Sequence, residues 1–397
     1  MQELIVIQKD NIKQIYLVED GILKEYYSET SENKNLEENI YIGKVINILS
    51  GMQAAFIDIG EEKKAYLHLK DILPKVSNVT GNKEENIENY KIKDYIKQNQ
   101  PILVQVKKDS NTLKGPKVSS NIQIPGRFVV VLPENDFITL SQKITKPKEK
   151  DRLIEIVNEA KKDKKLGIII RTAAEGKDKE EIQKDIEIAI DKWNKIKEDF
   201  ENTKDYPKIL KRSDSILEKI LLDLADNKLC NVIVNNEKLQ NKVLNKLNEI
   251  QGKTKIKVEL QKDDLEKKYN LDKQLEKAQN RKIWLKCGGF ITIDKTEALT
   301  AIDVNSGKFT GKENLENTIL KVNKEASEEI AKQIRLRDIG GIIIIDYIDM
   351  EEEKTKNEVL EVLKEKLKED RAKTQIMQYT KLNLLEMTRK SMFTEKE

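Results

Sequence analysis

FITIDKTEALTAID (290–303) and IIIID (342–346) are the stretches that decide the fold of the C-terminal part of this chain. The first predicts two strands separated by a turn, and the second predicts another strand, because apolar and β-branched residues dominate each run. Between them, apolar side chains recur at helical spacing over about 314–336, which predicts a helix. The four consecutive isoleucines predict a strand that is covered on both faces. This order of elements indicates an α/β domain.

Two aspartates close these apolar strands. Asp303 ends the second strand and Asp346 ends the third, so on neighbouring strands the two carboxylates could converge on one oxygen-rich metal site. A divalent cation there would acidify a water molecule and neutralise charge that develops on a phosphodiester. Asn305 shares the face of Asp303 in an extended chain, and its amide could hold that carboxylate or a phosphate oxygen. Spacing alone leaves open the simpler interpretation that both carboxylates are only solvated strand ends.

The composition of the chain limits the kinds of protein that it can be. Its 397 residues indicate two to four domains, and 38% hydrophobic residues suffice for several modest cores. Lys and Arg number 73 against 70 Asp and Glu, so the net charge of +3 argues against a purely electrostatic nucleic-acid binder. No run approaches the roughly 20 apolar residues that span a bilayer, and the N-terminus lacks signal-peptide features. We therefore expect a cytoplasmic protein without a membrane span.

The counts of histidine and cysteine argue against a zinc site, a disulfide framework and a histidine-dependent hydrolase. The chain has one histidine (His68) and two cysteines (Cys230 and Cys287), and none of them is paired at ligand spacing. A His/Cys zinc site needs about four such ligands, and a disulfide framework is not available either. His68 lies in a strand-like run, and no nucleophile elbow accompanies it. If the protein is an enzyme, carboxylates and a hard metal ion are the expected tools.

Short strands with glycines at their bends predict an OB-type barrel in the N-terminal half. These strand-like runs are 40–49, 54–59, 65–69 and 102–107. Phe56 and Tyr66 fall on adjacent runs, and with Lys114 they would form a stacking platform and a cation for single-stranded RNA. The alternative, that the two rings only fill the barrel core, stays open.

A second α/β region follows the barrel, and it contains helices predicted at about 147–163 and at 178–201. A buried-type strand at 167–170 leads into Arg171 and Thr172, which could grip a phosphate through a guanidinium fork and a hydroxyl. An arginine that merely ends a strand in water is the simpler interpretation. Further along, a charged helix is predicted at 264–281 and a helical tail over 351–392.

Several long stretches resemble the ribonuclease E/G family of endoribonucleases. The stretch WLKCGGFITIDKTEALTAIDVNSGKFTG (284–311) looks like its first catalytic signature, and RLRDIGGIIIIDYIDM (335–350) looks like the second. YIGKVINILSGMQAAFIDIGEEKKAYLHL (41–69) resembles the S1-type RNA-binding barrel of that family. IPGRFVVVLP and GIIIRTAAEG resemble its sensor for an RNA 5′ end, and LNLLEMTRK (382–390) resembles the end of its catalytic domain.

The resemblance implies an endoribonuclease that cuts single-stranded, A/U-rich RNA in rRNA and mRNA processing and turnover, leaving a 5′-phosphate and a 3′-hydroxyl. The catalytic positions that it implies are Asp303 and Asp346 as ligands of one Mg²⁺ ion and Asn305 as their supporting partner. It implies these RNA-binding positions: Phe56, Tyr66, Lys114 and Lys373, the last standing where the family usually has an arginine. It implies these positions for a 5′-monophosphate: Val130, Arg171 and Thr172.

The resemblance also implies a multidomain α/β fold. In it an RNase H-like unit is interrupted by an S1-type OB barrel and a 5′-sensor domain, and a DNase I-like catalytic domain follows. The implied ranges are 1–36 and 208–280 for the two parts of the RNase H-like unit, 37–122 for the barrel, 123–207 for the sensor and 281–397 for the catalytic domain.

One departure from the family concerns zinc. Family members commonly continue to a Cys-Pro-x-Cys motif whose thiolates share zinc with a second subunit, and this chain has no such pair. We therefore expect no zinc, while a homodimer through the catalytic domain stays open. The leading hypothesis is the Mg²⁺-dependent endoribonuclease. Its rivals are a non-catalytic RNA-binding factor that keeps the barrel and sensor, and a Mg²⁺ phosphatase or DNA nuclease, which would leave the barrel unexplained.

Overall fold

The structure is a computed structural model that describes most of the chain. The described residues are 1–30, 35–74, 76–77, 90–110, 114–162, 164–224, 229–250, 256–307 and 315–392. Within these ranges every helix is too short or too polar to cross a membrane.

The strands are, in chain order, β1 (Gln2–Lys9), β2 (Ile12–Glu19), β3 (Ile22–Thr30), β4 (Ile40–Leu49), β5 (Ala54–Asp58), β6 (Ala65–His68), β7 (Val76–Ser77), β8 (Pro101–Lys108), β9 (Lys117–Ser119), β10 (Ile124–Pro125), β11 (Val129–Pro133), β12 (Asp136–Leu140), β13 (Leu166–Ile170), β14 (Lys208–Lys211), β15 (Leu229–Val234), β16 (Lys257–Leu260), β17 (Lys282–Trp284), β18 (Phe290–Lys295), β19 (Leu299–Asn305), β20 (Gly341–Asp346), β21 (Thr374–Tyr379) and β22 (Leu385–Arg389). The α-helices are α1 (Pro147–Lys161), α2 (Lys179–Asn202), α3 (Ile216–Leu224), α4 (Glu237–Glu249), α5 (Leu265–Lys268), α6 (Leu271–Gln279), α7 (Leu315–Leu336) and α8 (Glu353–Leu367).

The described residues fall into two compact units. One contains 1–33, 227–246 and 255–397, and the other contains 34–226 and 247–254. The mixed α/β class predicted from the sequence is confirmed by the four sheets and eight α-helices described. The five domain ranges stay a prediction.

The first unit contains a five-stranded sheet built from two separate segments of the chain. One segment supplies β1, β2 and β3, and the other supplies β15 and β16. Its order is β16-β15-β1-β2-β3, with β1 antiparallel to β2 and parallel to β15. Helices α5 and α6 cover one face, where Leu265 and Leu271 pack with Ile5 and Tyr16. This packing buries the apolar side of two helices that are otherwise strongly charged.

The second sheet of this unit has the order β17-β18-β19-β20-β22-β21. Strands β19 and β20 are parallel, and α7 connects them, as the sequence pattern predicts. Helices α7 and α8 pack on one face through a core that includes Ile302, Ile330, Ile345 and Leu363. Every second residue of β19 points into that core, so the residues between them lie on the opposite face.

Two predictions for this region are wrong. The isoleucine strand is covered on one face only, because Ile343 and Ile345 are buried whereas Ile342 is 50% exposed. The tail is helical only over Glu353–Leu367 and then forms β21 and β22. Strand β22 pairs with β20 and extends the sheet, a long-range contact that local periodicity does not reveal.

The second unit contains an OB-like barrel, as predicted. Strands β4-β5-β6-β9-β8 form a sheet that closes because β8 also pairs with β4. Apolar side chains from each strand, such as Val45, Ile57, Leu67 and Val104, fill its interior. Strand β14 pairs with β4 at the same sheet, although its residues fall in the range 208–280 that the resemblance gives to the RNase H-like unit.

The other sheet of this unit has the order β10-β11-β13-β12-β7. Helices α1 and α2 pack against it, and their buried residues Val157 and Ile186 join Val131 and Ile168 of the strands in one core. The predicted helices at 147–163 and 178–201 correspond closely to α1 and α2. Strand β13 ends at Ile170, so Arg171 emerges directly from this core.

Candidate active site

A carboxylate pair lies on the uncovered face of the sheet packed by α7 and α8. Asp303 of β19 stands directly opposite Asp346 of β20 in the parallel register, and both residues are exposed. Asn305 lies on the same face, and its Nδ2 donates a hydrogen bond to Oδ2 of Asp303 at 2.6 Å. The convergence of Asp303, Asn305 and Asp346 predicted from spacing is therefore what the sheet register produces.

The buried face of the same strands holds these carboxylates in place. Ile302 and Val304 flank Asp303 in sequence and are nearly inaccessible, as is Ile345 beside Asp346. A shift of either strand by one residue would expose isoleucines and bury a carboxylate, which the packing disfavours strongly. The core therefore fixes which way each aspartate points.

The charge at this pair is unbalanced. Partial burial, together with the neighbouring carboxylates of Asp303 and Asp349, raises the pKa of Asp346 above its ordinary range. Burial first, and repulsion by the other carboxylates second, disfavour the ionised form of Asp346, and a bound cation would favour it. Among the residues described, no group of three or more His, Cys, Asp or Glu side chains is arranged to hold a metal ion.

Two carboxylates and one amide oxygen are a sparse but suitable set for one kind of ion. Mg²⁺ prefers oxygen ligands and usually keeps several of its waters while one or two protein carboxylates and substrate phosphates bind it. The donor set of Asp303, Asp346 and Asn305 fits that description. It does not fit a structural zinc site, which takes about four ligands and favours nitrogen and sulfur.

On the barrel, two aromatic side chains form a surface pair. Phe56 of β5 stands opposite Tyr66 of β6, with ring centroids 6.3 Å apart and a nearly edge-to-face geometry. Phe56 is 37% exposed and Tyr66 is half-buried, so neither ring belongs to the barrel core. His68, two residues after Tyr66 on the same strand face, extends the row with a centroid separation of 6.4 Å. The sequence predicted the aromatic pair but did not assign His68 to it.

The two lysines predicted to contact RNA are both exposed. Lys114 precedes Gly115, where a Cβ atom would overlap the carbonyl oxygen of Lys64, so the chain passes very close to the start of β6. Strand β9 then pairs with β6 beside Tyr66. Lys373 directly precedes β21, and its carbonyl oxygen accepts a hydrogen bond from the backbone N–H of Lys390.

Arg171 is held at the end of β13 by several contacts. Its backbone N–H donates to the carbonyl oxygen of Phe128, and its Nη1 donates to that of Gly126 at 2.9 Å. Its Nη2 forms an ion pair with the carboxylate of Asp223. The guanidinium is half-buried and pre-oriented, but it already has an anionic partner that sequence reasoning did not anticipate.

The other two predicted phosphate-binding residues lie on or next to the strands around Arg171. The hydroxyl of Thr172 is exposed and lies 2.8 Å from that of Ser141. Val130 is half-buried on β11 and pairs with Ile169 of β13. All three predicted positions, Val130, Arg171 and Thr172, thus lie on the same sheet or directly after it.

Asp185 of α2 is a further residue that the sequence did not single out. Its carboxylate accepts hydrogen bonds from three successive backbone N–H groups, those of Arg127, Phe128 and Val129. A side chain at Gly126 would collide with this carboxylate, so glycine is required there. Asp185 therefore fixes the loop whose carbonyl oxygens hold Arg171. Only the folded structure reveals it, because the contact spans more than 50 residues of sequence.

Comparison with known proteins identifies relatives over nearly the whole chain. Residues 123–392 match the model of the Ribonuclease E/G family. The chain is 36% identical over 393 residues to Ribonuclease G of Salmonella typhimurium, and 35% identical over 390 residues to Ribonuclease G of Escherichia coli K12; each match covers 98% of this chain and 79% of the relative. It is also 35% identical over 358 residues to Ribonuclease E of a Nostoc species, covering 89% of this chain and 51% of that protein.

Proposed function

Because this chain belongs to the ribonuclease E/G family, we propose that it is a Mg²⁺-dependent endoribonuclease that cuts single-stranded, A/U-rich RNA and favours 5′-monophosphorylated ends. The observation that supports this most directly is the pairing of Asp303 with Asp346 on an uncovered sheet face, with Asn305 hydrogen-bonded to the first carboxylate. The expected products carry a 5′-phosphate and a 3′-hydroxyl.

The two carboxylates would hold one Mg²⁺ ion, which when bound acidifies water and neutralises charge on the phosphodiester. The residues of the chain do the remaining work. The hydrogen bond from Asn305 fixes the orientation of the Asp303 carboxylate, so one of its oxygens stays directed toward the site. The open face of the sheet admits the RNA strand without a channel that would require a free end, which suits internal cleavage.

The barrel would bind the substrate by stacking. Phe56 and Tyr66 offer a surface pair of rings on which successive bases can stack, and Lys114 contributes positive charge nearby. Lys373 would contact the RNA backbone beside the catalytic sheet as a point charge, because lysine lacks the planar fork of arginine.

The residues around Arg171 would bind the 5′-monophosphate. The guanidinium and the Thr172 hydroxyl are suitable donors for phosphate oxygens, with Val130 packing alongside. Binding requires the phosphate to share or displace the carboxylate of Asp223. We propose that this competition makes the contact moderate in strength, so that the site favours a 5′-monophosphate without demanding it.

Other features of the proposal follow the family. We assign the sheet built from residues 1–30 and 229–260 to an RNase H-like unit and the C-terminal sheet to a DNase I-like catalytic domain. A cytoplasmic enzyme of rRNA and mRNA processing that forms a homodimer through the catalytic domain completes the proposal.

The rival is an RNA-binding factor without catalysis. It would explain the barrel and the Arg171 site, but it gives no reason for the hydrogen-bonded trio of Asp303, Asn305 and Asp346 on the open face. That trio favours the enzyme.

The deciding experiment compares Asp303→Asn with Glu386→Gln on one short A/U-rich RNA, with Mg²⁺ and with EDTA. Glu386 lies on β22 on the same face of the sheet as the pair, but it stands opposite Ile344 of β20 and not opposite Asp346, so it is a matched carboxylate that is not part of the proposed pair. We expect internal cuts that require Mg²⁺, that Asp303→Asn abolishes while RNA binding persists, and that Glu386→Gln retains. Cleavage by Asp303→Asn at the wild-type rate would refute the assignment, and tight binding without any cleavage by the wild type would favour the rival.

A further inference from the structure

An aromatic and cationic cluster occupies the edge of the catalytic sheet. The rings of Trp284 and Phe290 lie 5.3 Å apart in an edge-to-face arrangement. Nζ of Lys282 lies 3.5 Å from the ring centroid of Phe290 and 4.3 Å from that of Trp284. Trp284 is nevertheless 61% exposed, which is unusual for the largest apolar side chain.

The strand register places this cluster beside the carboxylate pair. Trp284 pairs with Phe290, and Phe290 pairs with Asn305, so these three residues form one row across β17, β18 and β19. The next row runs from Lys282 through Thr292 to Asp303. Because neighbouring strands are about 4.8 Å apart, the rings lie roughly 5–10 Å from the strand that carries Asp303 and Asn305.

All of these side chains share one face of the sheet. Along β18 the buried residues Ile291 and Ile293 alternate with the less buried Phe290 and Thr292, and along β19 Asp303 points away from the core. The rings therefore do not contribute to the core beneath α7 and α8. Their position is not explained by packing within the sheet.

The chemistry of the cluster suits a nucleobase. Aromatic rings stack on any base, and an ammonium over their faces fixes the rings and adds attraction for the phosphates that flank a base. The rings lie close to Asp303 and Asn305. One RNA strand could therefore place a phosphate at the carboxylates and the base of an adjoining nucleotide on the rings. A neutral apolar partner would gain nothing from Lys282.

We infer that Trp284 and Phe290, held by Lys282, form a stacking subsite for a nucleobase of single-stranded RNA next to the bond that is cut. This inference rests on the proposed function for the location of that bond. It assigns to the catalytic sheet its own contact with a base, separate from the rings of the barrel.

The first test measures cleavage of an RNA series in which one abasic nucleotide is moved stepwise away from the cleaved bond. The variants are Trp284→Ala, Trp284→Phe, and Met377→Ala as a control. Met377 is an exposed apolar residue on β21, the strand at the opposite edge of the sheet. Trp284→Ala should lower kcat/KM on intact RNA by roughly 5- to 100-fold, the range that loss of one base–aromatic stack produces.

The abasic series distinguishes stacking from structural damage. On the RNA that lacks the stacked base, wild type and Trp284→Ala should be equal, because the interaction is already absent. Trp284→Phe should recover most of the rate on intact RNA, and Met377→Ala should match the wild type. Equal losses on intact and abasic RNA, or no loss on either, would overturn the inference.

The second test does not depend on cleavage. The chain has two tryptophans, so Trp193→Phe leaves Trp284 as the only indole fluorophore. In the Trp193→Phe, Asp303→Asn variant, intact RNA should quench this fluorescence and the matched abasic RNA should not. Quenching would support the stacking subsite even if Asp303→Asn still cuts RNA. Cleavage by that variant would refute the proposed function but not the subsite. No quenching would overturn the inference. A Trp284→Ala variant that changes sedimentation mass without affecting RNA binding would also overturn it, and would show that a second protein copy covers this face.

Discussion

Replacing Glu25 with glutamine is expected to destabilise the unit that carries the carboxylate pair. Glu25 of β3 is 1% exposed, and its carboxylate accepts hydrogen bonds from Nε of Arg335 at 2.6 Å and from the hydroxyl of Tyr27 at 2.9 Å. It also forms an ion pair with Arg371, just before β21. One carboxylate therefore connects β3 of the N-terminal sheet to α7 and to the segment before β21.

The pKa of Glu25 gives the size of this effect. Burial alone would raise that pKa, but the charges and hydrogen bonds of Arg371 and Arg335 lower it from 4.5 to about 2. Because one pKa unit equals about 1.4 kcal/mol, the ionised carboxylate contributes about 3 kcal/mol to the free energy of unfolding. Removing one partner of a buried ion pair typically costs about 3–5 kcal/mol, which agrees with this value.

The sign of the pH dependence follows from the lowered pKa. The contribution of Glu25 is fully present above the unfolded-state value of 4.5 and is lost as the pH falls from there toward 2. Glu25→Gln should therefore reduce stability at neutral pH and should weaken the acid dependence below pH 4.5. The matched control is Glu29→Gln on the same strand, whose partner Lys13 is partly exposed, so its effect should stay within about 1 kcal/mol.

Hydrogen exchange is the appropriate assay because it reports stability region by region. Amides of β3 and α7 that exchange by opening of this unit should exchange roughly a hundredfold faster in Glu25→Gln at neutral pH, and those of the barrel should not change. Equal protection in Glu25→Gln and Glu29→Gln would refute the reasoning that the buried ion pairs stabilise this unit.

Three further predictions concern the proposed RNA sites. Asn305→Ala should lower kcat roughly 10- to 100-fold with little change in RNA affinity, because it removes a hydrogen bond to the charged carboxylate of Asp303. Single-turnover cleavage measures the rate, and an unchanged rate would contradict the prediction. Arg171→Ala should abolish the preference for 5′-monophosphorylated over 5′-hydroxylated RNA, whereas Asp223→Asn should increase that preference by releasing the guanidinium. Competition between the two RNA substrates tests both variants, and equal losses on the two substrates would indicate misfolding instead. Phe56→Ala should weaken binding of single-stranded RNA roughly 5- to 100-fold in a fluorescence-anisotropy titration, without altering binding of inorganic phosphate. Unchanged RNA affinity would exclude the barrel rings as a stacking platform.

Elements with a strong local pattern could be predicted from the sequence. The helices α1, α2 and α7 and the barrel strands β4, β5, β6 and β8 lie within a few residues of the predicted ranges. Each of these elements has apolar residues at the spacing of its own secondary structure, so neighbours along the chain suffice to define it. Asp303 and Asp346 could be paired in advance because each closes an apolar run that predicts a strand.

Elements that depend on distant partners could not be predicted. Residues 374–389 contain few consecutive apolar residues, and they become strands because β22 completes the hydrogen bonds of β20. The outer face of the isoleucine strand is exposed because no second layer among the described residues covers it, and amino-acid composition does not reveal this. Asp223, the anionic partner of Arg171, and Asp185, which holds the loop at 127–129, were missed for the same reason, since both arrive from helices far along the chain.

The parallel pairing of β19 with β20 also bears on when activity can appear during synthesis of the chain. Asp303 and Asp346 come together only after α7 has crossed over the sheet and a pairing between strands about 40 residues apart has formed. Contacts of this separation form slowly, because the entropy of closing the connection is lost before the pairing compensates for it. A chain that has not finished folding therefore presents two separate carboxylates, and the pair exists only in the folded protein.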